Sequence, residues 1–289
     1  MKISSPNLLA VTLSLGAVVV FPATAASLDC APITSVPVVI AVPGEYCLVD
    51  DLTFPSARGA AITVTVSDVT VDLNRNELRG PHYGGVTTIA ESIAISANDV
   101  SNVTVRNGAI AGFATGVSFR SSLPLKTGML VEDLHLSGIT AVAIQIGTAS
   151  TVVRNNRITN LNGTLKSGVA SDEVTAIYSE NIWGMPMGNE IRNNFISGMK
   201  GGANSGIIKL FRAPSTLVEG NTIAGPNYDS FTGIRIGASR NVTVANNRFS
   251  NMKIGIDYQY EGVGKYYGNI TEGVGSPYVG IGTNLGNNF

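Results

Sequence analysis

Lys209, Arg235 and Asp257 each stand between two apolar residues, in Ile208-Lys209-Leu210, Ile234-Arg235-Ile236 and Ile256-Asp257-Tyr258. Gln145 sits the same way in Ile144-Gln145-Ile146, and Tyr178 follows Ile177. In an extended chain such a pattern turns the apolar pair to one side and the polar residue to the other. A cation beside a carboxylate neutralises it and makes the neighbouring C–H more acidic. A second basic group or a phenol can then take that proton, and elimination follows. Lys209, Arg235 and Tyr178 are therefore the candidate catalytic residues. Gln145, Glu180, Trp183 and Asp257 are the candidate substrate contacts. The alternative is a solvated sheet face on which Lys209 and Asp257 flank Arg235 as surface charge pairs.

The chemistry requires these residues to be neighbours although about 26 positions separate them. A repeat supplies the means. Its clearest copy is Asn241-Val-Thr-Val-Ala-Asn-Asn-Arg-Phe-Ser-Asn251, two short strands hinged at an Asn-Asn corner. Versions recur at Asn74-Arg-Asn-Glu-Leu78, Arg106-Asn-Gly-Ala-Ile110, Glu132-Asp-Leu-His-Leu136, Arg154-Asn-Asn-Arg-Ile158, Arg192-Asn-Asn-Phe-Ile196 and Glu219-Gly-Asn-Thr-Ile223, with Asn269 as a further member. The steps between their last residues run from 22 to 38 residues, which suits one three-strand coil with insertions in the longer steps. One coil cannot bury its inner face, so coils must stack. Asn suits the corner because it tolerates left-handed backbone angles, and stacked amides can bond along the axis. The stacked outer face then reads Ala94, Ser118, Gln145, Lys209, Arg235 and Asp257, with Tyr178 and Glu180 on it if Ile177 points inward.

These corners resemble those of the right-handed parallel β-helix repeat proteins, the architecture shared with pectate lyases. The segments Pro43-Gly-Glu-Tyr-Cys-Leu48, Val69-Thr-Val-Asp-Leu-Asn74 and Gly280-Ile-Gly-Thr-Asn-Leu-Gly-Asn-Asn288 extend the likeness to small exported bacterial proteins of that type. The resemblance implies an all-β solenoid with a substrate groove on the outer face of one sheet. The expected partner is an acidic polysaccharide, and the expected reaction is that of a lyase or epimerase. Loops 162–173 and 181–188 would wall the groove. The chain also departs from its enzyme relatives. It has no tight set of three or four Asp/Glu for the calcium of pectate lyases, no paired-Asp motif of polygalacturonases and no Asp-Pro-His-Asp motif of alginate epimerases. No cofactor is expected; calcium would fit the class, but no clear site for it is present.

Residues 1–25 read as a secretory signal, with Lys2, the apolar run Leu8–Phe21 and Ala23-Thr-Ala25 as cleavage site. That run is too short to span a membrane, and no later stretch is long enough. Residues 26–60 are expected to cap the solenoid, 61–260 to form the coils and 261–289 to close the far end. The two cysteines, Cys30 and Cys47, are expected to join in an oxidising compartment, whether periplasmic or extracellular. A net charge of −1 with no basic run excludes electrostatic nucleic-acid binding. A monomer is expected. Two further readings stay open. One is a non-catalytic binding or structural scaffold. The other is periplasmic copper handling through Met185 and Met187, since thioethers suit copper(I). His82 and His135 lie too many coils apart to share a metal.

Overall fold

A computed structural model describes residues 30–81, 91–122, 125–162, 174–181, 187–200, 206–226 and 231–289. Trp183, Met185 and His82, with loop residues 163–173 and 182–186, lie outside them. The described residues form 26 strands and no α-helix. All strand pairs are parallel, and each strand pairs with those one coil before and after it (for example Ile144 opposite Ile177, and Ile177 opposite Ile208). This is the right-handed parallel β-helix expected from the repeat.

Three ladders run along the solenoid. The ladder that carries the site comprises Val38–Ile40, Arg58–Val64, Glu91–Asn98, Thr115–Arg120, Val142–Ile146, Thr175–Glu180, Gly206–Phe211, Thr232–Gly237 and the end of Arg248–Gln259. Its inward column is Ile62, Ile95, Val117, Ile144, Ile177, Ile208, Ile234 and Ile256, in register from coil to coil. All eight are fully buried. Each such side chain contributes about 1.5–3 kcal/mol by leaving water, so this column alone fixes which residues face outward.

The Asn-Asn corner divides two tasks between its residues. The first takes the left-handed backbone, with φ of 57°, 53° and 56° at Asn155, Asn193 and Asn246; Gly220 and Gly268 substitute there. The second turns inward and stacks. Asn156, Asn194, Asn221, Asn247 and Asn269 are all buried, and each accepts both the backbone N–H and the amide N–H of the Asn one coil before it where that residue exists. Asn288 continues the line by accepting from Asn269.

The solenoid is coiled from its first described residues. Ala31–Ile33 and Gly44–Leu48 pair with each other, and Gly44–Leu48 pairs with Val69–Asp72. Cys30 and Cys47 form a disulfide across this first turn. At the far end Tyr258, Tyr266 and Tyr278 fill the interior, the last two stacked with centroids 4.4 Å apart. Burial pushes the Tyr258 phenol well above its ordinary range. Among the described residues no helix is long and apolar enough to cross a membrane.

Candidate functional site

Gln145, Tyr178, Lys209, Arg235 and Asp257 are directly opposite one another on five successive coils. Coils stack about 4.8 Å apart, so side chains far apart in sequence become nearest neighbours. At the N-terminal end the expected stripe is two residues out of register. Ile95 and Ala97, not Ile93 and Ile95, align with Val117 and Phe119, so Ser96 stands opposite Ser118. Ala94 is fully buried and takes no part in the outer column.

Tyr178, Lys209 and Arg235 line one cavity of about 580 Å³. Phe211, Gly237 and Tyr260 form its other side. Phe211 and Gly237 belong to a second outward column, two positions further along each strand, in which Glu180, Phe211, Gly237 and Gln259 are in register; Tyr260 follows just beyond the strand end. The site therefore has Tyr178, Lys209 and Arg235 on one side and the rings of Phe211 and Tyr260 on the other. Gly237 matters because of what it lacks. A Cβ there would lie 3.2 Å from Phe211 Cδ2 and 3.8 Å from Tyr260 Cδ2, so the two rings converge above bare backbone. Gly206 makes room in the same way. A Cβ there would meet Lys209 Cγ at 2.8 Å and Arg235 Cβ at 3.2 Å, so the Lys209 stem lies in the space glycine leaves.

Asp257 lies beneath the surface, only 3% exposed. Gln259 donates its amide N–H to Asp257 Oδ2, and Arg235 Nε lies 3.9 Å from the same oxygen. Arg235 also donates through Nη2 to Thr232 Oγ1 at 3.2 Å. Burial raises the Asp257 carboxyl above its ordinary range, and the opposing pull of Arg235 and Gln259 does not overcome it. Asp257 does not line the cavity; Arg235 and Gln259, which it holds, do.

Gln145 and Glu180 line an adjoining cavity of about 230 Å³ with Arg120, Ser121, Gly147 and Asn181. The Gln145 side-chain oxygen accepts from Arg120 Nη2 at 3.1 Å and Ser118 Oγ at 3.4 Å, which turns its amide N–H groups away from both. Met187 is a core residue, 1% exposed, with Sδ 4.0 Å from the Ser179 hydroxyl. Met185, its expected copper partner, lies outside the described residues. His135 lies on another face, within hydrogen-bond distance of Thr159 Oγ1 at 3.0 Å. Burial, with the neighbouring Arg157 charge, lowers its pKa. Among the described residues no three of His, Cys, Asp and Glu come together. Phe211, Gly237 and Gln259 were legible as outward positions two places after Lys209, Arg235 and Asp257. Tyr260, beyond the strand end, had no periodic signal.

The chain belongs to the right handed beta helix region family, whose model matches residues 125–288. No curated protein sequence matches it. Among solved structures it is similar to an alginate lyase from Paenibacillus sp. str. FPU-7, with 14% identity, a TM-score of 0.56, and coverage of 86% of this chain and 91% of that one. It is also similar to the periplasmic alginate epimerase AlgG, with 10% identity, a TM-score of 0.53, and coverage of 85% and 69%. The catalytic domain of a GH87 alpha-1,3-glucanase has 13% identity and a TM-score of 0.48; the match covers 89% of this chain and 62% of that one. At these identities the likeness is one of fold.

Proposed function

We propose that this protein is an exported carbohydrate-active β-helix protein that acts on an acidic polysaccharide by β-elimination. The observation that carries the reading is the meeting of Tyr178, Lys209 and Arg235 in one cavity beside an aromatic wall. A uronate residue presents a carboxylate and an apolar ring face, and the cations and the rings of Phe211 and Tyr260 match those two features. Arg235 and Lys209 neutralise the carboxylate, which acidifies the C–H next to it. Tyr178 takes that proton, its own phenolic proton passing to the departing oxygen. The C–H electron pair becomes the ring double bond, the glycosidic C–O bond breaks, and the departing oxygen takes up a proton. Asp257 acts from below by holding Arg235 and Gln259. The fold shared with an alginate lyase and an alginate epimerase supports the substrate class. The signal-like start and the disulfide support export.

The test is to incubate the mature protein with pectate, alginate and glycosaminoglycans and to follow the ultraviolet absorbance of the unsaturated product. The expected result is a rise on one polymer that Lys209→Ala and Arg235→Ala each reduce by at least about 100-fold, the range of a lost charge-stabilising group. Absence of a rise on every polymer overturns the lyase. Binding without a rise favours the non-catalytic scaffold, which the tie between Arg235 and Asp257 would suit.

A further inference from the structure

The two cavities share a construction. In the second outward column, Gly147 stands between Arg120 and Glu180, and Gly237 stands between Phe211 and Gln259. At both places a side chain that would project outward is missing. A Cβ on Gly147 would lie 3.4 Å from Arg120 Cα, in the floor between Arg120 and Glu180. The cavities therefore exist where the column has bare backbone, with larger residues before and after each gap.

Their spacing is fixed by the coils. Gly147 lies on the coil of Val142–Ile146 and Gly237 on that of Thr232–Gly237, with Thr175–Glu180 and Gly206–Phe211 between them. Three coil steps separate them, about 14 Å along the axis. One coil step is close to the length one pyranose adds to an extended glycan. The cavities also adjoin: Gln145 of the smaller is opposite Tyr178 of the larger, and Glu180 of the smaller is opposite Phe211 of the larger. The smaller cavity is polar and carries both charges. Arg120 offers guanidinium donors to a carboxylate or hydroxyl, Glu180 accepts from hydroxyls, and Gln145 presents the amide N–H groups that its bonds to Arg120 and Ser118 turn away.

We infer that the two cavities are subsites of one groove, and that the protein takes an acidic glycan of at least four residues. One sugar sits over Gly237 with its carboxylate at Lys209 and Arg235. The third residue from it along the chain sits over Gly147 between Arg120 and Glu180. The inference rests on the acidic-polysaccharide reading of the larger cavity and adds to it a length requirement and a second contact set.

The experiment is calorimetric titration of the mature protein with uronate oligosaccharides of two to six residues, taken from whichever polymer binds. Affinity is expected to step up between the trisaccharide and the tetrasaccharide, by on the order of 10- to 100-fold, as joined sites do when the span is first reached. It then stays flat to the hexasaccharide. Arg120 is exposed, so Arg120→Ala keeps the fold, and it brings the tetrasaccharide down to the trisaccharide's affinity. Binding that rises evenly with length, or a step that survives Arg120→Ala, overturns the two-subsite groove while leaving the larger cavity's reading intact. No binding at any length overturns both.

Discussion

Asn221 is where the scaffold bears most directly on the site, because its corner joins the coil of Lys209 to the coil of Arg235. Its side chain accepts from the Asn194 backbone and amide N–H groups, both at 2.9 Å. It donates to the Ile191 carbonyl at 2.9 Å, the Glu219 carbonyl at 3.1 Å and the Asn247 amide oxygen at 2.9 Å. The residue is 1% exposed, so water does not replace these partners. Asn221→Ala strands the Asn194 N–H, the Ile191 carbonyl and one lone pair of Asn247. A buried group left unsatisfied costs about 1–3 kcal/mol. Three such groups, relieved in part by relaxation, give a loss of roughly 3–6 kcal/mol. Urea unfolding followed by circular dichroism measures it. Asn246→Ala is the control: among the described residues its exposed side chain reaches only the Glu219 carboxylate, at 3.4 Å, so its cost is the roughly 1 kcal/mol of placing Ala in the left-handed backbone there. A loss at Asn221 below about 1 kcal/mol, or one equal to that of Asn246→Ala, would refute the claim that stacked amides hold the coils in register.

Other outcomes follow from the same structure. The Asp257 carboxyl is raised by burial, so its contribution to stability is present below its ordinary value of 3.8 and is lost as pH rises through the raised value. Asp257→Asn should therefore gain stability relative to the native chain as pH climbs from acid to neutral; a difference that does not vary with pH, in unfolding midpoints across that range, would contradict it. Tyr260 is 78% exposed and contributes an aromatic wall, so Tyr260→Ala should leave unfolding unchanged and weaken oligouronate binding by roughly 2- to 10-fold. Gly237→Val fills the space between Phe211 and Tyr260 and should abolish that binding, read by the same titration, while Lys209 and Arg235 remain in place. Reduction of Cys30–Cys47, whose positions are 17 apart, should cost about 3 kcal/mol, measured as unfolding with and without a reductant.

The inner ladder was legible because burial enforces a strict alternation. From Gln145 to Asp257 every outward residue read from the sequence has its expected neighbour. The slip at Ala94 shows where that signal fails. Ser92, Ala94, Ile95, Ser96 and Ala97 are all small or apolar and all buried, so Glu91–Asn98 offers two registers of similar pattern. The choice between them is made by the neighbouring strand, which places Thr115 opposite Ile93. The Asn-Asn corner was legible as a turn, but not as two jobs. Only the backbone angles separate the left-handed first residue from the stacked second.

Outwardness in a strand is a local property, whereas exposure depends on what the neighbouring columns and coils place around it. Asp257 and Lys209 have the same pattern around them, yet Asp257 is covered by Gln259 and Arg235 while Lys209 lies in the space left by Gly206. Gln259 and Gly206 lie on the same strands as Asp257 and Lys209, and Arg235 on the coil before Asp257, so the difference arises from residues in neighbouring columns and coils rather than from the alternation itself. The same holds for the cavities. Gly147 and Gly237 look like ordinary strand-end glycines in the sequence, and become floors only because Arg120, Glu180, Phe211 and Tyr260 arrive from neighbouring coils. In a solenoid the column decides what is near and the gaps in the column decide where a ligand fits. The second of these can be read only after the register is known.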